Sequence, residues 1–180
     1  VVLSIASSDT GEATVTGTVT FTPANWDTAQ TVTVTGADDD LVDGTVSSTT
    51  TISVVDAASD NNFDGVADQT VSVSTTDDDV AGFTIVELEG STEVDESGTT
   101  DTFTVVLNAQ PDSDVVVAIT SSDNGEASSN SPLTFTSSNW DTPQTVTVTG
   151  VDDFLLDGTI TSDLVVAIVD ASSDNNFDGV

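Results

Sequence analysis

The chain has 180 residues, 36% of them hydrophobic, and carries 32 acidic side chains with no Lys, Arg or His, a formal net charge of −32. That surface repels phosphate and excludes nucleic acid, and no apolar run of about 18 residues is present to insert into a membrane. The absence of Cys and His removes disulfides, thiolate metal sites and every Ser–His or Cys–His nucleophile pair.

The elements recur. Val1–Val66 matches Val115–Val180 without a gap at 41 of 66 positions, a repeat with a period of 114 residues. Residues 67–114 occur once, and a full unit starts near Ala81. The chain therefore reads as residues 1–79, a partial repeat without its first strands, and 80–180, a second repeat without its last strand. With no Met and no signal peptide, Val1 is not expected to be a true start, and a stretch of a longer tandem array is the simplest reading. Exchange of strands between chains is less economical, because both partial copies carry the same block.

In chain order the strand-like runs are Gln69–Thr76, Gly82–Glu87, Thr102–Asn108, Asp114–Thr120, Leu133–Thr136, Gln144–Thr149 and Ile160–Val169. In Gln144–Thr149 the Val residues fall on one face and the Thr residues on the other, the period of a half-buried strand. Turn clusters such as Ser122-Asp123-Asn124-Gly125 separate the runs. Short strands without helical periodicity predict an all-β fold, an immunoglobulin-like β-sandwich in tandem with no helices of note. Trp26 and Trp140 each precede a strand and are expected to cap the core rather than to stack on a sugar.

The acids gather where strands end. One group follows the repeated TVTVTG run: Asp38, Asp39, Asp40 and Asp43, then Asp152, Asp153 and Asp157. Others are Asp9 with Glu12, repeated as Asp123 with Glu126; Asp77-Asp78-Asp79; and Glu93, Asp95 and Glu96. Of the acids, 26 are Asp and 6 are Glu, and short Asp in turns suits hard, oxygen-liganded cations. Two carboxylates about 4 Å apart repel by roughly 1 kcal/mol in water and about 4 at an effective dielectric of 20. With no cationic side chain, the compensating charge has to come from solution, and Ca2+ is the expected ion. Glu12 and Glu126 fit metal binding and plain solvent exposure equally well.

Asp60-Asn61-Asn62-Phe63-Asp64-Gly65 matches the first half of the D-x-[DN]-x-[DN]-G calcium loop. Asp60, Asn62 and Asp64 stand at positions 1, 3 and 5, and Asp68 falls at position 9. Position 12 is Val71 instead of Glu, and Asp174, Asn176 and Asp178 repeat the pattern. An Asx-rich turn explains the same residues without a metal; the calcium loop is the favoured reading.

Four motifs in order, Glu96-Ser97-Gly98, Ser122 to Ala127, Val146 to Asp153 and Asp77 to Asp79, make the chain resemble the Calx-β domain. That domain occurs in sodium–calcium exchangers and in very large bacterial surface and adhesion proteins. The resemblance implies an immunoglobulin-like sandwich with calcium at one tip. In copy two the tip ligands would be Glu96, Asp123, Asp152, Asp153 and Asp157. In copy one they would be Asp9, Asp38, Asp39 and Asp43 with the junction residues Asp77, Asp78 and Asp79. The chain departs from the family in a shortened acidic loop, Leu41 to Gly44, and in Phe154 standing where copy one has Asp40.

The expected function is a non-enzymatic, calcium-rigidified extracellular or cell-surface module, acting as stalk, spacer or fibre and contacting neighbouring repeats of the same chain. Paired carboxylates at strand ends, with no cleft indicated, do not point to acid–base catalysis. The alternatives are a calcium-bridged filament subunit that associates laterally, a ligand-binding adhesin module and a calcium-sensing regulatory pair.

Overall fold

The computed structural model describes residues 1–88, 90–156 and 158–180. These are all-β, with several antiparallel sheets consistent with a β-sandwich, and their helical content is confined to single turns. The chain divides into two compact units, Val1–Asp39 with Asp43–Asp78, and Asp40–Val42 with Asp79–Val180.

The first unit contains β1 (Val2–Ser7), β2 (Ala13–Val15), β3 (Thr18–Thr20), β4 (Val34–Gly36), β5 (Thr45–Val54) and β6 (Gln69–Thr76). These form one sheet in the order β3-β1-β5-β6 and a separate pair, β2-β4. The second unit contains β7 (Phe83–Glu87), β8 (Thr100–Leu107), β9 (Val115–Ser121), β10 (Ala127–Ser129), β11 (Leu133–Phe135), β12 (Gln144–Gly150) and β13 (Leu164–Ile168). Its sheets run β10-β12-β8-β7 and β11-β9-β13.

The predicted strand at Ile160–Val169 forms only over Leu164–Ile168, although its counterpart β5 is ten residues long. The reason is pairing. β5 lies between β1 and β6, bonded to β6 from Thr45↔Thr76 to Ile52↔Gln69, whereas among the described residues β13 has β9 alone. A backbone with one neighbour leaves half its polar groups to water, and its ends fray. The three-residue β10 carries no readable alternation and was not expected from the sequence; β12 holds it in register, Ala127 opposite Gly150.

The second unit has the larger core. Alternate residues of β8, β9 and β12 point inward, and Phe103, Val105, Val117, Phe135, Val146 and Phe177 are buried together. Trp140 packs on this core as expected, and its carbonyl accepts a hydrogen bond from Leu107 N at 3.1 Å. The expectation fails for Trp26, which is 72% exposed. Likewise Phe63 is 44% exposed, where its counterpart Phe177 is fully buried. The difference is β7–β8, which walls the second unit; among the described residues no strand takes that place beside β4. The first unit also buries the Ser48 and Thr50 hydroxyls without hydrogen bonds, a cost of about 1–3 kcal/mol for each unsatisfied group.

The wall explains one glycine. Gly150 N donates to Thr99 O, and a Cβ on Gly150 would lie 2.0 Å from the Asp95 carbonyl oxygen. At the equivalent Gly36 the nearest atom is Thr75 Cγ2, at 3.9 Å. Gly150→Ala is expected to destabilise the second unit by about 1–3 kcal/mol or more through overpacking against rigid backbone. Gly36→Ala should change stability by less than about 0.5 kcal/mol. Denaturant unfolding followed by tryptophan fluorescence checks the pair.

Candidate metal centre

In the first unit three chain segments bring acids together: the β1–β2 turn, the loop after β4 and the end of β6. Asp9 closes the turn, its Oδ1 accepting from Gly11 N at 3.0 Å. Glu12 follows, and its carbonyl is clamped by Ala37 N at 2.8 Å and Thr75 Oγ1 at 3.2 Å. Asp77, just beyond β6, takes the N–H groups of Asp43 and Gly44 on Oδ2 at 3.0 and 2.8 Å. These last two bonds tie the acidic loop to the end of β6.

The result is electrostatic crowding around Glu12. Burial pushes its carboxyl above the usual range, and the charges of Asp43, Asp39 and Asp9 push it further. A hydrogen bond to the Asp43 carboxyl adds to the effect, because the protonated form of Glu12 is the donor. With no cationic side chain in the sequence, only a proton or a dissolved cation relieves this repulsion. Asp9, Asp39 and Asp43 thus each act on Glu12, which the sequence left open between metal binding and solvent exposure. Asp38 is exposed in the same loop. Asp77 and Asp78 belong to the first unit and Asp79 to the second.

The donors are the hard oxygens that calcium takes. Yet among the described residues no three acidic side chains close into a metal-holding group. The carboxylates are within range to repel but are not drawn into a coordination shell.

The second unit holds its acids less tightly. Asp123 Oδ1 accepts from Gly125 N at 2.9 Å, as Asp9 does in its own turn. Asp152 and Asp153 cap their own loop through Phe154 N and Leu155 N, at 3.2 and 2.8 Å. Glu96 and Glu126 line a common groove of about 550 Å³ with Leu155 and Leu156. Asp157 lies outside the described residues. A second groove, of about 670 Å³, runs past Glu87, Glu93 and Ile160, although the sequence indicated no cleft. Both grooves border the 158–163 segment, where β13 stops short of its counterpart. Phe154, in place of the acid of copy one, sits at φ 64° and is 91% exposed. Asp95 belongs to the turn that covers Gly150; hydrogen bonds from Ser97 hold its carboxyl below the usual range.

The D-x-N-x-D loops form single 3-10 turns, Asn61–Phe63 and Asn175–Phe177. Asp60 and Asp174 cap them, each accepting from the amide two residues on at 2.9 Å. Asp64 and Asp68 are exposed in the first copy, as are Asn176 and Asp178 in the second. Asn62 spends its amide on Asp60 Oδ1 at 2.8 Å, whereas Asn176 donates to Val42 O at 2.8 Å. Asp174 is buried and also accepts from Ser113 N at 2.7 Å and Ser113 Oγ at 3.3 Å. Burial raises its carboxyl, but the bonds from Asn176, Ser113 and Asp112 outweigh that and hold it below the ordinary value. Asp60 and Asp174 thus serve as Asx turn caps. No protein-family model, curated protein or solved structure matches the chain.

Two titrations of opposite sign follow. For Glu12 the folded carboxyl lies above its unfolded value, so its contribution is present below about pH 4.3 and lost as pH rises through the folded value. In chelator at pH 7, Glu12→Gln is therefore expected to raise the melting temperature of the first unit, with no gain near pH 3. For Asp174 the folded value is depressed, so its stabilisation is present above about pH 3.9 and lost as pH falls through that lower value. Asp174→Asn should cost the second unit about 1–3 kcal/mol at pH 7, a difference that shrinks in strong acid. Thermal melts of the variants across pH read both.

Proposed function

We propose that the protein is a calcium-stabilised tandem β-sandwich module of the immunoglobulin-like, Calx-β-like kind, serving as an extracellular stalk, spacer or fibre segment. The observation that carries this reading is the repulsion that Asp9, Asp39 and Asp43 exert on Glu12 in a chain with no cationic side chain. Supporting it, the acids come from separate loops at strand ends, and the turn that holds Asp9 recurs 114 residues later at Asp123.

When bound, calcium supplies the positive charge that the sequence omits. Asp9, Glu12, Asp39 and Asp43 would hold it in the first unit, with Asp77 positioning the loop through its N–H groups. In the second unit the equivalent positions are Asp123, Glu126, Asp153 and Asp157, and the resemblance adds Glu96 and Asp152. Extracellular modules bind calcium at about 10⁻⁴–10⁻³ M, which suits a site this open. A ligand that binds only the folded form adds RT ln(1 + [L]/Kd), about 2.7 kcal/mol per site at a hundredfold excess over Kd.

A second reading, a subunit of a laterally associating filament, is favoured by the apolar run Phe154-Leu155-Leu156, whose exposures are 91, 64 and 103%.

Calcium is expected to raise the melting temperature at pH 7, chelator to reverse the rise, and Glu12→Gln to diminish the calcium gain in the first unit. Small-angle scattering should show a narrower spread of lengths with the ion than without it. Unchanged melting and unchanged scattering on chelation would falsify the calcium mechanism. Calcium-dependent growth in mass by sedimentation would favour the filament.

A further inference from the structure

The two units share one acidic turn, and the copies differ at its second residue. It reads Asp9-Thr10-Gly11-Glu12 in the first unit and Asp123-Asn124-Gly125-Glu126 in the second. The backbone is held the same way in both. The aspartate Oδ1 accepts from the glycine N at 3.0 and 2.9 Å, and Ala13 N and Ala127 N each bond to the aspartate carbonyl at 3.1 Å. Thr10 and Asn124 are both exposed, so the exposure belongs to the turn itself.

Asn124-Gly125 is the one Asn-Gly junction in the sequence; every other asparagine precedes a residue with a side chain. Asn25, Asn130 and Asn139 commit their side-chain oxygens to the backbone N–H groups of Thr22, Thr147 and Thr136. The Asn124 amide has no hydrogen-bond partner among the described residues. With no Cβ on Gly125, its backbone nitrogen is little hindered from turning on the Asn124 Cγ. That attack forms the N–Cγ bond of a succinimide and breaks the Cγ–Nδ2 bond, and ammonia leaves with the proton of the Gly125 nitrogen. Water then adds to either ring carbonyl and opens it to aspartate or isoaspartate. The bond from Gly125 N to Asp123 Oδ1 opposes the first step, because a charge-assisted hydrogen bond keeps the N–H in place and aimed at Asp123.

We propose that Asn124 is a site of spontaneous deamidation, and that the Asp123 carboxylate holds the reaction back while the turn is folded. Conversion places an acid between Asp123 and Glu126 that the sequence does not carry. The first unit has Thr10 there and cannot acquire it. Water is the only co-reactant, so the chemistry stands whether or not the acids take calcium.

The test is a long incubation of the full chain in warm, mildly alkaline buffer with chelator, followed by peptic digestion and site-resolved mass spectrometry. Conversion should appear at Asn124 ahead of every other asparagine, with isoaspartate detected by enzymatic methyl transfer. Asp123→Ala should convert at least about tenfold faster than the unsubstituted chain, the factor that one hydrogen bond to a charged group carries. Asp123→Ser, which keeps an acceptor without the charge, should fall between the two. Thr10→Asn should open a second site in the first unit, at a rate comparable to that of Asn124. Circular dichroism checks that each variant is folded, and if Asp123→Ala is not, Asp123→Ser and Thr10→Asn decide. Conversion at Asn124 no faster than at the other asparagines overturns the proposal. So does a folded Asp123 variant that converts no faster than the unsubstituted chain.

Discussion

Backbone pairing across sheet edges governs where this protein is ordered and where it is open. Each strand needs partners for alternate N–H and C=O groups on both sides, and an unpartnered edge is left to water or to another chain. Two near-copies of one 66-residue block sit in different surroundings, so the effect of a neighbour is visible with the sequence nearly constant. β5 runs ten residues between two strands, while β13, its counterpart, keeps five with one neighbour among the described residues. The identical QTVTVTG segment is a full strand beside β8 and a fragment without it.

Burial follows pairing. Once β8 lies beside β12, its Phe and Val side chains close over the valines of β12, and Phe177 and Trp140 complete the cluster. Without that wall Trp26 and Phe63 face solvent. The wall also dictates Gly150, because the Asp95 turn lies directly over that backbone. A shared sequence motif therefore carries a steric requirement in one copy and none in the other.

Charge acts on top of this frame. Strand ends place the acidic turns, and backbone N–H groups then anchor individual carboxylates, as Asp77 does for the loop at Asp43 and Gly44. Such anchoring satisfies hydrogen bonds but does not cancel charge, and Glu12 registers the remainder. A protein that omits Lys and Arg leaves this repulsion to be answered from solution. The two kinds of acid in the chain separate on that basis. Asp174 is consumed as a structural acceptor, while the Glu12 neighbourhood keeps its charges in mutual repulsion.

Composition and periodicity alone determined the all-β class, the 114-residue repeat and the positions of most strands, because alternation is a property of neighbouring residues. They also placed Asp9, Asp39 and Asp43 at strand ends, since strand ends are local features. They did not reveal that Glu12 feels the charges of Asp39 and Asp43, which depends on how a turn and a distant loop pack together. Nor did they separate Trp26 from Trp140, or Asp174 as a cap from Asp174 as a ligand. Both distinctions rest on contacts distant in sequence, with β8 for the tryptophans and Ser113 for the aspartate. Identical residues acquire different roles here because burial and pairing belong to the neighbourhood that tertiary structure assembles, not to the residue itself.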